Sequence, residues 1–449
     1  MFLLNHSNHN KYNFIFLKIP NVSLGFFCLK YVLLKSMSIL YNLLVSCTSI
    51  LLKLMSLFSP KLKLFVKGRK QTFSILKEKI APIDKVIWFH CASLGEFEQG
   101  RPVIEKIKQL YPNHKIVLSF FSPSGYEIRK NYEAANAVVY LPLDTNKNVK
   151  KFIELLHPEI AIFVKYEFWP NLLNELKRKE IPTILISGIF RKNQLFFKNY
   201  GRWMSNKLNL FSHFFVQDEN SKKLLNSIAI ENVSISGDTR FDRVFEIINQ
   251  NNKLDFLDNF KNNKFTLVAG STWPEDEKML VNYINKHASS QEKFIIAPHN
   301  INPIAIKKLQ KKLLVKSVLY SNYQQNDLKS AKVFIVDTIG ILTKVYSYAD
   351  IAYVGGGFTN GIHNILEPAT FGIPIIIGPK YQKFNEAIEM LAENACLTAN
   401  NKSEFNNILN DLRDDLLRAK IGDQAKNYVK SRIGATNIIS IYISNIIKN

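Results

Sequence analysis

Short runs of β-branched and aromatic residues alternate with longer stretches of mixed polarity from residue 86 to residue 379. The runs are apolar almost throughout, which is typical of parallel strands that helices cover on both faces. A spacing of about 20–30 residues fits βαβ units. The strands predicted in this way are 86–90, 116–120, 138–142, 160–164, 183–187, 214–218, 233–237, 265–271, 294–299, 333–337, 351–357 and 375–379.

A polar stretch at 245–263 lacks strand character and divides these runs into two sets, so we interpret it as a linker. The pattern predicts an α/β protein with two Rossmann-like, doubly wound domains, 61–244 and 264–449, that face a central cleft. Ligands of such sheets bind beyond the carboxyl ends of the strands. The polar segment 318–330 is predicted to be a loop.

Residues 39–58 are apolar and carry one charge, Lys53. This length is close to what a helix needs to cross a bilayer core, and the basic run that follows favours a cytoplasmic location for the rest of the chain. We expect a membrane anchor at 37–60 that either spans the bilayer once or lies at its interface, with a soluble first helix and a signal peptide as the alternatives. Because Met37 is a plausible start, residues 1–36 are an extension of uncertain status.

Composition adds a charge argument to this pattern. The 449 residues carry a formal charge of +22, and residues 1–70 contain ten Lys/Arg but no Asp or Glu. An acidic membrane surface or a phosphorylated substrate explains this excess, and overuse of lysine by an AT-biased genome is the alternative. No nucleic-acid-binding motif accompanies it, so no nucleic-acid partner is expected. The cysteines are scattered, which indicates neither a disulfide framework nor a zinc site: Cys28, Cys47, Cys91 and Cys396.

The stretch 351–379 is the most specific candidate site in the second half. A predicted strand ends in Gly355, Gly356 and Gly357, where the backbone can approach a ligand closely. Asn364 then precedes a predicted helix whose free N–H groups suit a phosphate. Glu367, one turn into that helix, could accept hydrogen bonds from ribose hydroxyls. A glycine-rich turn with a capped helix is the alternative. The complete stretch resembles the nucleotide-binding motif of two-domain (GT-B) glycosyltransferases.

Three other strand ends of the second half should lie on the same side of its sheet and favour nucleotide binding. Ser271 and Thr272 follow the first strand, where they could bind phosphate or cap a helix. Pro298 and His299 end the next strand. The segment 337–340 ends the third.

The first half offers acids and a cation at its own strand ends. Glu96 follows the strand 86–90 through a tight turn at Gly95, where it could act as a general base or favour a helix dipole. Glu167 lies among large aromatic residues after the strand 160–164. Arg240 follows the last strand and could meet a phosphate or form a surface ion pair.

Residues 190–211 mix aromatic side chains with five Lys/Arg. This combination predicts either a lipid-facing surface or ordinary helix packing.

Six motifs occur in one order along the chain, and together they resemble the lipid A-specific 3-deoxy-D-manno-octulosonic acid (Kdo) transferase family over roughly residues 38–435. Single motifs of this length could arise by chance, whereas the ordered set is specific. The motifs are ASLGEFEQGRPVIEKI (92–107), KYEFWPN (165–171), ISGDTRFD (235–242), AGSTWPEDE (269–277), DTIGIL (337–342) and HNILEPATFGIPIIIGP (363–379).

The resemblance implies a GT-B fold, CMP-Kdo as donor, the lipid A precursor lipid IVA as acceptor, inversion at the anomeric carbon, and neither metal nor cofactor. It implies an enzyme of the inner membrane with cytoplasmic catalytic domains. Glu96 matches the family's base, and Glu167 and Arg240 match its charge-stabilising positions. The positions that match CMP contacts are Pro298, His299, Ile339, Gly340, Ile341, Asn364, Ile365, Leu366 and Glu367.

Two residues depart from the pattern that the family resemblance implies. Arg240 stands where many members have lysine, which keeps the charge but changes its geometry. Pro298 stands where several members have arginine, which alters how the donor phosphate is held.

Three other functions remain open from the sequence. One is a GT-B enzyme that uses a UDP-sugar on a lipid-linked acceptor, and another is a UDP-sugar 2-epimerase, for which an anchor has no use. The third is a basic binding protein without catalysis, against which the ordered acids at the strand ends argue.

Overall fold

A computed structural model describes residues 22–447, except for the side chains of residues 22–35 and of residue 61. Residues 1–21 of the predicted extension, and residues 448–449, lie outside the described residues. Two helices come first, α1 (Val22–Met55) and α2 (Pro60–Lys79). Ser59 caps α2 with its side chain and Pro60 occupies the first turn, so the local sequence encodes this helix start.

Seven parallel strands form the first sheet, in the order β3-β2-β1-β4-β5-β6-β7. Apolar side chains cover both of its faces and form two clusters. The strands are β1 (Val86–Cys91), β2 (Lys115–Phe120), β3 (Ala137–Tyr140), β4 (Ile160–Val164), β5 (Thr183–Gly188), β6 (His213–Val216) and β7 (Val233–Ile235). The helices are α3 (Leu94–Leu110), α4 (Pro123–Arg129), α5 (Asn146–Leu156), α6 (Pro170–Arg178), α7 (Arg202–Leu208), α8 (Glu219–Asn226) and α9 (Thr239–Glu246).

The second sheet is also parallel and seven-stranded, in the order β10-β11-β9-β8-β12-β13-β14. After α10 (Asp255–Lys261), its strands are β8 (Phe265–Thr272), β9 (Glu292–Pro298), β10 (Ser317–Leu319), β11 (Val333–Ile335), β12 (Ile351–Val354), β13 (Ile375–Ile377) and β14 (Leu397–Thr398). Its helices are α11 (Pro274–Lys286), α12 (Pro303–Lys312), α13 (Leu342–Tyr346), α14 (Leu366–Thr370), α15 (Asn385–Ala392), α16 (Lys402–Asp411), α17 (Asp415–Lys430) and α18 (Ala435–Ile446).

Two parallel sheets in series confirm the predicted α/β GT-B architecture. Local details differ from the prediction. The segment 318–330 is not wholly a loop, because β10 pairs with β11 at its start. The polar stretch 245–263 contains α10, whose Leu257 and Phe260 are fully buried in the second core.

The last helix, α18, returns to the first domain. Its Ile439 and Ile443 are buried in a cluster with Ile87 of β1. Asp242 of α9 fixes the chain on this return path, since its carboxylate accepts hydrogen bonds from the backbone N–H groups of Gly434 (2.5 Å) and Thr436 (2.7 Å). The range 264–449 therefore ends in a helix that packs on the first domain.

Candidate active site between the two domains

In each sheet the strand order reverses at one point. Two of the candidate residues, Glu96 and Glu167, follow the strands on either side of this point in the first sheet. In the first sheet this point lies between β1 and β4, and in the second between β8 and β12. Glu96 begins α3 after β1, and Glu167 follows β4. Crevices at such positions are the usual ligand sites of open parallel sheets.

Glu96 is a largely buried carboxylate in the first turn of α3. Burial raises its pKa to about 7, and the negative charge of Glu167 adds to this rise. The backbone N–H of Ala92 donates a hydrogen bond to Glu96 Oε2 (2.5 Å), which opposes the rise, as does the positive charge of Lys165. A carboxylate with a pKa near neutrality suits proton abstraction from an alcohol.

Glu167 is held by two side chains that meet at one of its oxygens. His90 Nε2 lies 2.9 Å from Glu167 Oε2, and Trp169 Nε1 donates to the same oxygen (2.8 Å). His90 is fully buried in β1, and its Nδ1 lies 2.8 Å from Ser119 Oγ. This network fixes the carboxylate beside Glu96.

Arg240 reaches across the cleft from the start of α9. Its guanidinium contacts Asp238 (2.7 Å) in the first domain and Glu386 of α15 (3.0 Å) in the second. Burial alone would lower the pKa of Arg240, but the two carboxylates raise it, so the group is a permanent cation. Lys165 is a second cation here, and burial together with the charge of Arg240 lowers its pKa.

Two cavities of about 550 Å³ each lie between the domains, and Arg240 lines both. The first also contacts Lys165 and Asp238 from the first domain, and Lys383 and Arg432 from the second. The second cavity joins the first-domain residues Gly95 and Arg243 to the second-domain residues Gly340, Thr343, Asn364 and Glu367. The structure therefore brings the start of α3, Arg240 and part of the predicted nucleotide set to one cleft.

Glu367 is oriented towards this cleft by its neighbours. Asn364 Nδ2 donates to Glu367 Oε1 (3.0 Å) and Thr343 Oγ1 donates to Oε2 (2.7 Å). Gly340 has a positive φ of 97°, which favours glycine, and an added Cβ there would meet nothing within 4 Å. Its backbone is therefore open to a ligand.

The strand ends of β8 and β9 lie apart from this group. Thr272 and Pro298 line a separate cavity of about 680 Å³ formed by second-domain residues. Ser271 has a left-handed backbone, with φ of 53°. His299 connects the regions because its ring stacks on those of Trp273 (4.9 Å) and His363 (4.4 Å).

The remaining positions that were predicted to contact CMP differ in which of their atoms a ligand could reach. The side chains of Ile365 and Leu366 are buried in the second core, so that only their backbone could contact a ligand. Ile339 is 86% exposed, and Ile341 precedes α13 and packs partly against the core.

Sequence reasoning assigned no role to three residues that shape the cleft: His90, Lys165 and Arg243. Lys165 could have been noticed, because it directly follows a central strand. Its backbone is left-handed, with φ of 66°, a strained conformation that is concentrated at functional sites. Arg243 forms an ion pair with Glu98 and lines the second cavity.

Known proteins resemble this chain in both sequence and fold. A family model described as 3-deoxy-D-manno-octulosonic-acid transferase matches residues 67–243. A 3-deoxy-D-manno-octulosonic acid transferase from Chlamydia trachomatis is 27% identical over 380 residues, which cover 82% of this chain and 87% of that protein. A bifunctional glycosyltransferase/methyltransferase from Fusobacterium nucleatum is 28% identical over 415 residues, or 89% of this chain, but the chain spans only 62% of that relative.

The fold is also that of a UDP-GlcNAc 2-epimerase from Neisseria meningitidis. The two structures superpose with a TM-score of 0.57 at 14% identity, covering 80% of this chain and 100% of the epimerase. At this identity the similarity shows the architecture alone. Residues 67–243 thus match the Kdo transferase family model, and the chain resembles a protein named as a Kdo transferase over 82% of its length.

Proposed function

We propose that this enzyme transfers Kdo from CMP-Kdo to a sugar hydroxyl of a lipid A precursor, with inversion and without a metal ion. The feature that carries the proposal is the partly buried carboxylate of Glu96, whose pKa burial raises to about 7, next to Lys165 and to a cleft lined by cations from both domains. The activity for which the relatives are named suggests the sugar, and the resemblance of the motifs suggests the nucleotide and the acceptor.

In the proposed reaction, Glu96 removes the proton of the acceptor hydroxyl. The oxygen then attacks the anomeric carbon of Kdo, and the bond from that carbon to the phosphate oxygen of CMP breaks, so that CMP leaves with the bonding electrons. Glu167, held by His90 and Trp169, is placed to stabilise positive charge that develops on the sugar ring. Binding both substrates in one cleft supplies proximity.

Negative charge grows on the departing phosphate, and the cations of the cleft are placed to offset it. Arg240 is shared by the two cavities and Lys165 lies beside it. On the second domain, Gly340 offers open backbone and Glu367 is oriented by Asn364 and Thr343. We assign these second-domain groups to the CMP part of the donor, with Glu367 at the ribose hydroxyls.

Product analysis tests the assignment against its alternatives. The purified protein is incubated with lipid IVA and either CMP-Kdo or a UDP-sugar, and the mass of the lipid product is measured by mass spectrometry. A mass increase of one or more Kdo residues with CMP-Kdo alone is the expected result. Transfer from a UDP-sugar, or epimerisation of UDP-GlcNAc without transfer, would replace the proposal with one of the alternatives.

Activity is expected to be unaffected by EDTA. Within the described residues, no group of three or more His, Cys, Asp or Glu is arranged to hold a metal ion, and we assign phosphate stabilisation to protein cations. Initial rates are compared after dialysis against EDTA and after addition of Mg²⁺ or Mn²⁺. A strict requirement for either ion contradicts the assignment.

We further propose that the enzyme is attached to the inner membrane through its N-terminal region. In the part of the chain that the structure describes, one helix is long and apolar enough to span a bilayer, Ser36–Met55. The segment 190–211 contributes less lipid-facing surface than its composition suggests, because Phe190, Phe196 and Phe211 are buried in the first-domain core. Its Tyr200 and Leu195 remain exposed.

Removing residues 1–58 is expected to release the protein from anionic liposomes at high salt and to leave the transferase site intact. At low salt, the basic residues of 190–211 and the exposed lysines of α2 should together retain weak binding, since such attraction is screened within a Debye length. Flotation across a salt series, with the full chain as control, measures this. Salt-independent flotation of the shortened protein would place the anchor elsewhere, and no flotation at any salt would exclude 190–211 as a binding surface.

A further inference from the structure

In the helix segment Ser36–Met55, polar side chains face the first domain and apolar side chains face outwards. This is the opposite of the arrangement in a helix on the surface of a soluble protein. The side that is partly covered by the first domain includes Ser38, Tyr41, Asn42 and Ser49. The opposite side is apolar and exposed, with accessible fractions between 46% and 61% at its large residues. These residues recur at helical spacing along the whole segment and form what we call the outer stripe: Ile39, Leu40, Leu43, Leu44, Ile50, Leu51, Leu54 and Met55.

Polar contacts hold the inner side of this segment on the first domain. Tyr41 donates a hydrogen bond to the buried carboxylate of Asp144 (2.7 Å), and Asn171 Nδ2 donates to Asn42 Oδ1 (2.7 Å). Trp203 Nε1 donates to Ser38 Oγ (3.2 Å). We call Asp144, Asn171 and Trp203 the clasp.

The far end of the segment is fixed to the same domain through α2. Phe65 of α2 is buried edge-on against Phe121 (5.4 Å), and Arg69 donates to the backbone carbonyl of Phe121 (2.7 Å). A helix of 20 residues is about 30 Å long, which matches the hydrocarbon core of a bilayer. To span that core, the segment would need its ends on opposite sides of the membrane, which would carry the clasp into hydrocarbon.

Charge on α2 favours a lipid surface as the partner of the outer stripe. Lys63, Lys67 and Lys70 are exposed and recur at helical spacing, and α2 directly follows and contacts α1. Basic side chains beside an apolar stripe match the anionic headgroups and acyl chains of a bilayer surface.

We propose that residues 36–55 lie in the plane of the membrane, with the outer stripe inserted at the headgroup boundary and the clasp holding the inner side on the catalytic domain. This inference rests on the membrane attachment proposed above and specifies its geometry. The segment is then a monotopic docking helix rather than a membrane span, and it fixes the orientation of the catalytic cleft relative to the lipid surface.

Depth-dependent fluorescence quenching tests the geometry. An environment-sensitive fluorophore is attached to a single cysteine at residue 40, 47 or 54. Residue 47 uses the native Cys47, whereas residues 40 and 54 use Leu40→Cys and Leu54→Cys in a Cys47→Ser background. All three proteins also carry Cys28→Ser. The full chain is bound to phosphatidylethanolamine vesicles that contain phosphatidylglycerol, with lipids brominated near the headgroup or near the chain end. Cys91 and Cys396 are buried and stay in place.

An in-plane helix gives equal quenching at the three positions, and the lipid brominated near the headgroup is the stronger quencher at each. A fluorophore at Val45→Cys, on the inner side, is quenched little. If residue 47 is instead quenched best by the deep bromines and residues 40 and 54 by the shallow ones, the helix spans and the inference is overturned while the transferase proposal stands. No quenching at any position overturns both the inference and the proposed attachment through the N-terminal region.

The clasp is tested in the same assay. Asp144→Ala is expected to raise quenching at residue 45, because the inner side is released towards lipid. The conservative Asp144→Asn keeps part of the hydrogen bonding and should have a smaller effect. Glu154→Ala removes an exposed carboxylate on α5 and serves as the matched control. Unchanged quenching at residue 45 in a folded Asp144→Ala protein would contradict the clasp.

Discussion

Replacing Glu96 with glutamine is expected to lower kcat by about 10²–10⁴, the usual contribution of a general base, with fold and CMP binding retained. The amide keeps the size of the side chain but cannot take up the hydroxyl proton. The measurement is the initial rate of Kdo transfer to lipid IVA, together with CMP affinity by calorimetry. Glu154→Gln, at an exposed carboxylate of α5 that lines neither cavity, should remain close to wild type. A Glu96→Gln enzyme within about tenfold of wild type would remove Glu96 from the role of base.

The pH profile of the wild-type enzyme provides an independent test of Glu96. Because burial raises the pKa of Glu96 to about 7, the carboxyl is protonated and inactive below that pH. It becomes a competent base as the pH rises. The value of kcat/KM should therefore increase as the pH rises through about 7 and level off above it, which gives the pH profile an acidic limb. In Glu96→Gln this limb should disappear, and its persistence would assign the titration to another group.

Replacing Arg240 with methionine is expected to lower kcat by about 10²–10³, similar to the loss of one electrostatic donor to a developing anion. The substitution also leaves Asp238 and Glu386 without their shared cation across the cleft. Arg240→Lys keeps the positive charge, and the family resemblance implies lysine at this position, so most of the activity should remain. Arg432→Met is the matched control, because Arg432 lines the same cavity but pairs with the more exposed Glu389 and Glu393.

Steady-state constants separate the two roles that Arg240 could have. A cation that acts on the departing phosphate lowers kcat when it is lost, whereas one that only joins the domains raises KM for the donor. We expect the main effect in kcat for Arg240→Met, with partial rescue in Arg240→Lys. Equal and small changes in both variants would indicate that Arg240 serves the interdomain contact alone.

The sequence by itself determined the strands and where their chemistry lies. Runs such as 160–164 and 375–377 are apolar throughout, which is typical of strands covered on both faces. In a parallel sheet every strand points the same way, so residues that follow strands must collect at one edge. The sequence alone therefore predicts that Glu96, Glu167 and Glu367 lie near a cleft. Short edge strands such as β14, with two residues, carry no such signal.

Only the tertiary structure decided which of these residues meet, and which side of α1 faces the protein. His90 and Glu167 are 77 positions apart, and Arg240 meets Glu386 across 146 positions. Such pairs depend on how helices pack on the sheets and how the domains face each other, which no local pattern encodes. The same applies to Tyr41 and Asp144, 103 positions apart. The composition of α1 indicated an apolar helix, but its polar residues acquire a direction only when the first domain supplies hydrogen-bonding partners on one side.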